Sequence, residues 1–124
     1  MVQFGFEIYF LSDDASDSHA EAAAEFENEV IELEDHSSGQ NAKLQELLFS
    51  MERAEFINES SLLCHKIANA VEKRVSIANR GVKQADFHVL HGARMPSVLV
   101  EAAFIDFPSE EKKLRTNKFR AAMV

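Results

Sequence analysis

A chain of 124 residues has room for one core and one ordinary domain, and 46% apolar residues with a net charge of −8 suit a globular protein. No apolar run approaches the roughly eighteen residues that span a bilayer, and the single cysteine, Cys64, excludes an internal disulfide and a multi-cysteine zinc site. Residues 1–40 hold eleven acids and no lysine or arginine, against ten acids and thirteen bases thereafter, which argues against nucleic acid as a partner because no basic patch is concentrated.

Taken in order, Phe4, Phe6, Ile8 and Phe10 alternate with Gly5, Glu7 and Tyr9, a period of two that predicts a half-buried strand. The same stretch lacks a basic start and carries Glu7, so it does not read as a signal peptide. Ser12–Ser18 is a polar turn in which Asp17 or Ser18 can cap a helix running to about Leu33. Residues 35–39 read as a loop. From Ala42 to about Ala78 the pattern is helical, with a drift in phase near residues 53–57 that predicts a break or a change of partners. Asn79-Arg80-Gly81 is expected to stop that helix, with Gly81 in the left-handed position beyond its end. Phe87 and Val89 suggest a short strand, residues 91–94 a turn, and Pro96-Ser97-Val98-Leu99-Val100 a buried strand. Pro108 or Ser109 opens another helix, and residues 119–124 look helical again. Strands this apolar, interleaved with helices, indicate an α/β fold: a twisted sheet flanked by helices. Three strands are few for a sheet covered on both faces, so part of a larger sheet is expected.

The lone carboxylate at the end of the last apolar run is Glu101. Burying an acid there is costly unless a cation or hydrogen-bond donor meets it, and open α/β sheets place their sites beyond the carboxyl ends of strands. Glu101 is therefore either a general base or a carboxylate paired with Arg94 or Arg80. Arg80, Lys83 and Arg94 could also meet substrate carboxylates or serve solubility alone. Of the five histidines, His88 and His91 lie three apart, and on a strand they would face opposite ways. No HExxH motif occurs, so no metal ligand is assigned within the chain.

RGVKQADFHVL followed by MPSVLVEAAFIDFPSEEKKL resembles the C-terminal half of the zinc-dependent N-acetylmuramoyl-L-alanine amidases of the amidase_3 type. The resemblance extends back through FEIYFLSDDASDSHAEAAAEFENEVIELED and LQELLFSMERAEFINESSLLCHKIANAV. It implies a single unit over residues 1–124, the C-terminal portion of an amidase catalytic domain. It also implies that Glu101 is the catalytic acid/base, that peptidoglycan is the substrate, and that the intact enzyme works in the periplasm or cell wall. In the family the zinc ligands are two histidines and a glutamate, the histidines in DPGHGG-like and IHAN-like motifs that do not occur here. Zinc is thus expected in the intact enzyme, whereas this chain alone is expected to bind none and to be inactive. Ala102-Ala103 and Asp106-Phe107 depart from the family pattern in the loop after the acid, which bears on substrate fit. Residues 32–36 fall where periplasmic members carry a regulatory insertion answering to an activator, and a solvated acidic loop is the alternative there. The rival reading of the whole is a non-catalytic truncated fragment or interaction module without metal.

Overall fold

The computed structural model describes residues 4–32 and 43–124. The expected loop at residues 35–39 and the possible regulatory segment at 32–36 fall wholly or almost wholly outside them. The elements are β1 (Phe6–Leu11), α1 (Ser18–Glu32), α2 (Lys43–Glu72), β2 (Asn79–Ala85), a 3-10 turn (His88–Leu90), β3 (Leu99–Glu101), α3 (Pro108–Leu114) and α4 (Asn117–Met123). The sheet has the order β2-β1-β3, with β2 parallel and β3 antiparallel to β1. The fold is α/β, as expected.

β1 is the centre. All six of its residues are buried, so the half-buried strand expected from its alternation is corrected: both faces are covered. Phe6, Ile8 and Phe10 pack with Cys64, Ala68 and Val71 of α2. Tyr9 and Leu11 pack with Ala20 and Ala24 of α1 and with Phe87 and Leu90. A central strand between two helical layers has no wet face, whatever its periodicity. Cys64 is a buried small residue within that packing, and burial pushes its thiol up to about 12, which keeps it an inert thiol.

The helices start as their capping residues dictate. Asp17 Oδ1 accepts from the Ala20 amide at 2.8 Å to open α1, and Pro108 occupies the first turn of α3. α2 is one uninterrupted helix with no break at residues 53–57. It ends at Glu72, earlier than its periodicity suggests, because Val75 and Ile77 are drawn onto the α2 face of the sheet. Asn79-Arg80-Gly81 is therefore the beginning of β2 and not a helix stop. Gly81 does take a positive φ of 97°, but inside a strand. Phe87–Val89, expected as a strand, instead forms the entry to the 3-10 turn.

Two details fix the edge of the sheet near the site. Gly5 has φ 113°, and a Cβ there would lie 2.4 Å from the Ala78 carbonyl oxygen, so only glycine fits. The buried Glu110 of α3 accepts from the Gly5 amide at 2.5 Å and from the Phe104 amide at 2.9 Å. One carboxylate thus ties the start of β1 to the loop after β3.

Candidate active site

The register of β1 against β3 sets Glu7 directly opposite Glu101. Opposed residues share a face, and this is the α1 face, where Tyr9 and Leu99 join the core. Two carboxylates side by side on adjacent strands repel unless something distinguishes them. Their surroundings do so.

Glu7 is 1% exposed and held on every side. Its Oε1 meets Arg80 Nε at 2.6 Å, His19 Nε2 at 3.1 Å and Lys83 Nζ at 3.3 Å, while its Oε2 accepts from the Tyr9 hydroxyl. Burial would raise its pKa, but the bonds from Tyr9, Arg80 and His19 and the charge of Lys83 outweigh it and hold the carboxyl at about 2. Burial and the bond to Glu7 push the Tyr9 phenol upward, so Tyr9 remains a donor.

The two cations reach Glu7 because of a bulge. Phe6 pairs with Asn79 but Ile8 with Val82, so β2 carries one residue more than β1 between these pairs. In an unbroken strand positions 80 and 83 would point to opposite faces. The extra residue, with Gly81 in its left-handed conformation, resets the alternation and brings both side chains to the α1 face.

Glu101 stands differently. It is part-buried, and its pKa is raised, first by burial and then by the nearby charges of Glu27 and Glu7. The arginines that could have paired with it are occupied, Arg80 by Glu7 and Arg94 by Glu52 at 2.7 Å. It lines a cavity of about 610 Å³. Glu7 and Tyr9 form the floor with it, Ala22, Ala23, Phe26 and Glu27 of α1 one wall, and residues 103–106 the other. Phe104 of that second wall lies under the Arg80 guanidinium, 5.8 Å from ring centroid to Cζ.

The cavity's described residues do not make a zinc ligand set. Both Glu7 oxygens are taken by cations and Tyr9, and His19 directs its Nε2 at Glu7. Glu101 alone cannot supply the three ligands that a catalytic zinc requires. What the arrangement offers chemically is a carboxylate held in its ionised form beside one whose affinity for a proton is raised.

Glu101 therefore stands in a concave site, while Arg80 and Lys83 serve the interior of that site and are not free for substrate. Arg94 is remote from it and exposed. His88 and His91, expected to diverge, come together, with ring centroids 5.0 Å apart, because the segment is a 3-10 turn in which positions three apart eclipse. Glu7 and its partners His19 and Tyr9 were missed as site residues. The signal was present: Glu7, like Glu101, is one acid in an apolar run. Alternation concealed it by offering a solvent face that does not exist.

The match to the family model described as N-acetylmuramoyl-L-alanine amidase runs over residues 3–124. The amidases AmiA of Escherichia coli strain K12 and of Salmonella typhimurium are each 34% identical to the chain over 107 residues, 86% of this chain and 37% of theirs. The sporulation-specific N-acetylmuramoyl-L-alanine amidase of Bacillus subtilis is 45% identical over 53 residues, 43% of this chain and 21% of that protein. The chain thus spans little more than a third of the AmiA relatives. With a family match across nearly every residue, Glu7 and Glu101 included, the chain belongs to the Amidase_3 family of N-acetylmuramoyl-L-alanine amidases.

Proposed function

We propose that this chain supplies the proton-transfer part of a peptidoglycan amidase that cleaves the bond between N-acetylmuramic acid and the L-alanine of the stem peptide. The observation that carries the reading is the opposed pair Glu7 and Glu101 on the floor of one cavity, with environments that push their pKa values apart. Such a separation is how acid and base roles are assigned within a site. Glu101 takes the proton of the water that adds to the amide carbonyl. It then gives a proton to the departing alanine nitrogen as the C–N bond breaks. Glu7 stays ionised throughout, and burial, the charge of Glu27 and the like charge of Glu7 together keep the Glu101 carboxyl avid for protons. Tyr9, Arg80, Lys83 and His19 hold Glu7 in place.

Zinc belongs to this proposal only for the intact enzyme, where the family resemblance implies it. The residues described here do not fit it, and no step is routed through it. Peptidoglycan is then the partner, and the periplasm or the cell wall the place of action. No described helix is long and apolar enough to cross a membrane.

The test is Glu101→Gln in the full-length protein, read as release of stem peptides from purified peptidoglycan. Gln matches Glu in size and can bond the same water but cannot accept its proton. Turnover should fall by about 10²–10⁴-fold with no loss of melting temperature, and with a gain if the burial of the Glu101 charge is costly. Near-full turnover would assign the base elsewhere and favour a non-catalytic role for this cavity.

A further inference from the structure

At the other end of β1 from the cavity, Asp86, His88 and His91 bring one ligand atom each to within 4.8 Å of one another. We propose that this turn is a surface site for a divalent transition-metal ion, separate from the amidase chemistry and independent of that reading. Asp86 follows Ala85, the partner of Leu11, four positions along β1 from Glu7. At a strand rise of about 3.3 Å per residue that is roughly 13 Å away.

The chemistry of the donors selects the ion. Two imidazoles and one carboxylate suit zinc, nickel or copper, whereas magnesium and calcium demand oxygen ligands. Three protein ligands also leave positions for water, as befits an exposed and exchangeable site.

The geometry is near what such an ion requires. Asp86 Oδ1 lies 2.6 Å from His91 Nε2, and Asp86 Oδ2 lies 4.0 Å from His88 Nε2. Around a tetrahedral ion with bonds of about 2.1 Å, neighbouring ligand atoms stand roughly 3.4 Å apart. With one Asp86 oxygen as ligand, the 2.6 Å separation of Oδ1 from His91 must open by about 0.8 Å, and since no separation in the cluster exceeds 4.8 Å none need close by more than about 1.4 Å, within reach of side-chain rotations.

The backbone bearing the ligands is already fixed. Asn28 of α1 donates from Nδ2 to the Asp86 carbonyl at 2.8 Å and accepts at Oδ1 from the His88 amide, also at 2.8 Å. On either side of the ligands, Phe87 and Leu90 are buried against the core. An ion therefore meets a turn whose ordering cost has been met by folding. Its binding would lock the exit of β2 to α1, in a part of the fold that the cavity does not use.

The experiment is titration of the purified protein with Zn2+ and with Ni2+ by calorimetry. Parallel titrations use His88→Ala, His91→Ala, Asp86→Asn and, as a control, His65→Ala on the exposed face of α2. One equivalent should bind with a dissociation constant on the order of micromolar. Each cluster variant should weaken binding at least tenfold, and His65→Ala should leave it unchanged. Zn2+ at ten times that constant should raise the melting temperature by about 3–5 °C. Paramagnetic broadening of histidine ring resonances by Ni2+ needs no variant and should strike His88 and His91 first. Absence of binding below about 100 µM, binding indifferent to His88→Ala and His91→Ala, or broadening confined to other histidines would each overturn the site. Because the readouts are binding and spectroscopy, a failed amidase assignment leaves them unaffected.

Discussion

Glu7 and Glu101 show how neighbouring residues of one type acquire opposite duties. Both end up on the same face of adjacent strands, yet four donors surround one, and among the described residues no cation pairs with the other. Because Glu7 is held at about 2, below its ordinary 4.5, its contribution to stability is present above about pH 4.5. That contribution is lost as the pH falls from there toward 2. The linked free energy is of order 3 kcal/mol, so acid unfolding should steepen in that window, and Glu7→Gln should abolish the steepening in circular-dichroism titrations. Glu101 has the opposite sign, since its raised pKa costs stability at neutral pH and the cost is relieved as it protonates. Glu7→Gln also strands Arg80 and leaves Lys83, among the described residues, only Asp17 at 3.6 Å, and losing one partner of a buried ion pair costs on the order of 3–5 kcal/mol. In a full-length protein still folded enough to assay, the acid limb of the pH–rate profile should shift to lower pH. The like charge opposite Glu101 has gone and Arg80 nearby is no longer neutralised. An unmoved limb would show that Glu7 does not set the titration of Glu101.

At the level of elements, the glycines divide by what surrounds them. At Gly81 a Cβ meets nothing within 4 Å, so Gly81→Ala costs only the left-handed backbone, about 1–2 kcal/mol. At Gly5 the same change adds a backbone clash, and denaturant unfolding should show Gly5→Ala to be clearly the more destabilising. Glu110→Gln replaces one of two accepting oxygens with a donor and leaves an amide of Gly5 or Phe104 unmatched. A loss of about 1–3 kcal/mol is expected, with lowered amide-exchange protection at residues 103–106 if the tie holds that wall of the cavity. What could be read in the sequence follows the same division. Glu101 was legible because an apolar run ended on an acid, and the starts of α1 and α3 because Asp17 and Pro108 act locally. The end of α2, the bulge at Gly81 and the turn at His88 were not, because each is decided by packing between segments far apart in the chain. Val75 leaves a helical pattern for the sheet, and Arg80 turns inward toward an acid 73 positions earlier.

On the scale of the molecule, the order β2-β1-β3 also governs the time course of folding. β1, the most apolar strand, finds both neighbours late: Ala85 pairs with Leu11 from about seventy residues downstream, and β3 comes later still. Sheets built from distant partners fold slowly, because loop closure precedes the contacts that reward it. During synthesis at about 5–20 residues per second, the segment Phe6–Leu11 leaves the ribosome roughly 4–15 s before its β2 partner exists. For that interval its six residues are an unsatisfied, nearly all-apolar edge, with Glu7 as the single charge that discourages association with other nascent copies. The acid that the finished protein buries among Arg80, Lys83, His19 and Tyr9 is thus, until β2 arrives, the one charge interrupting an apolar segment.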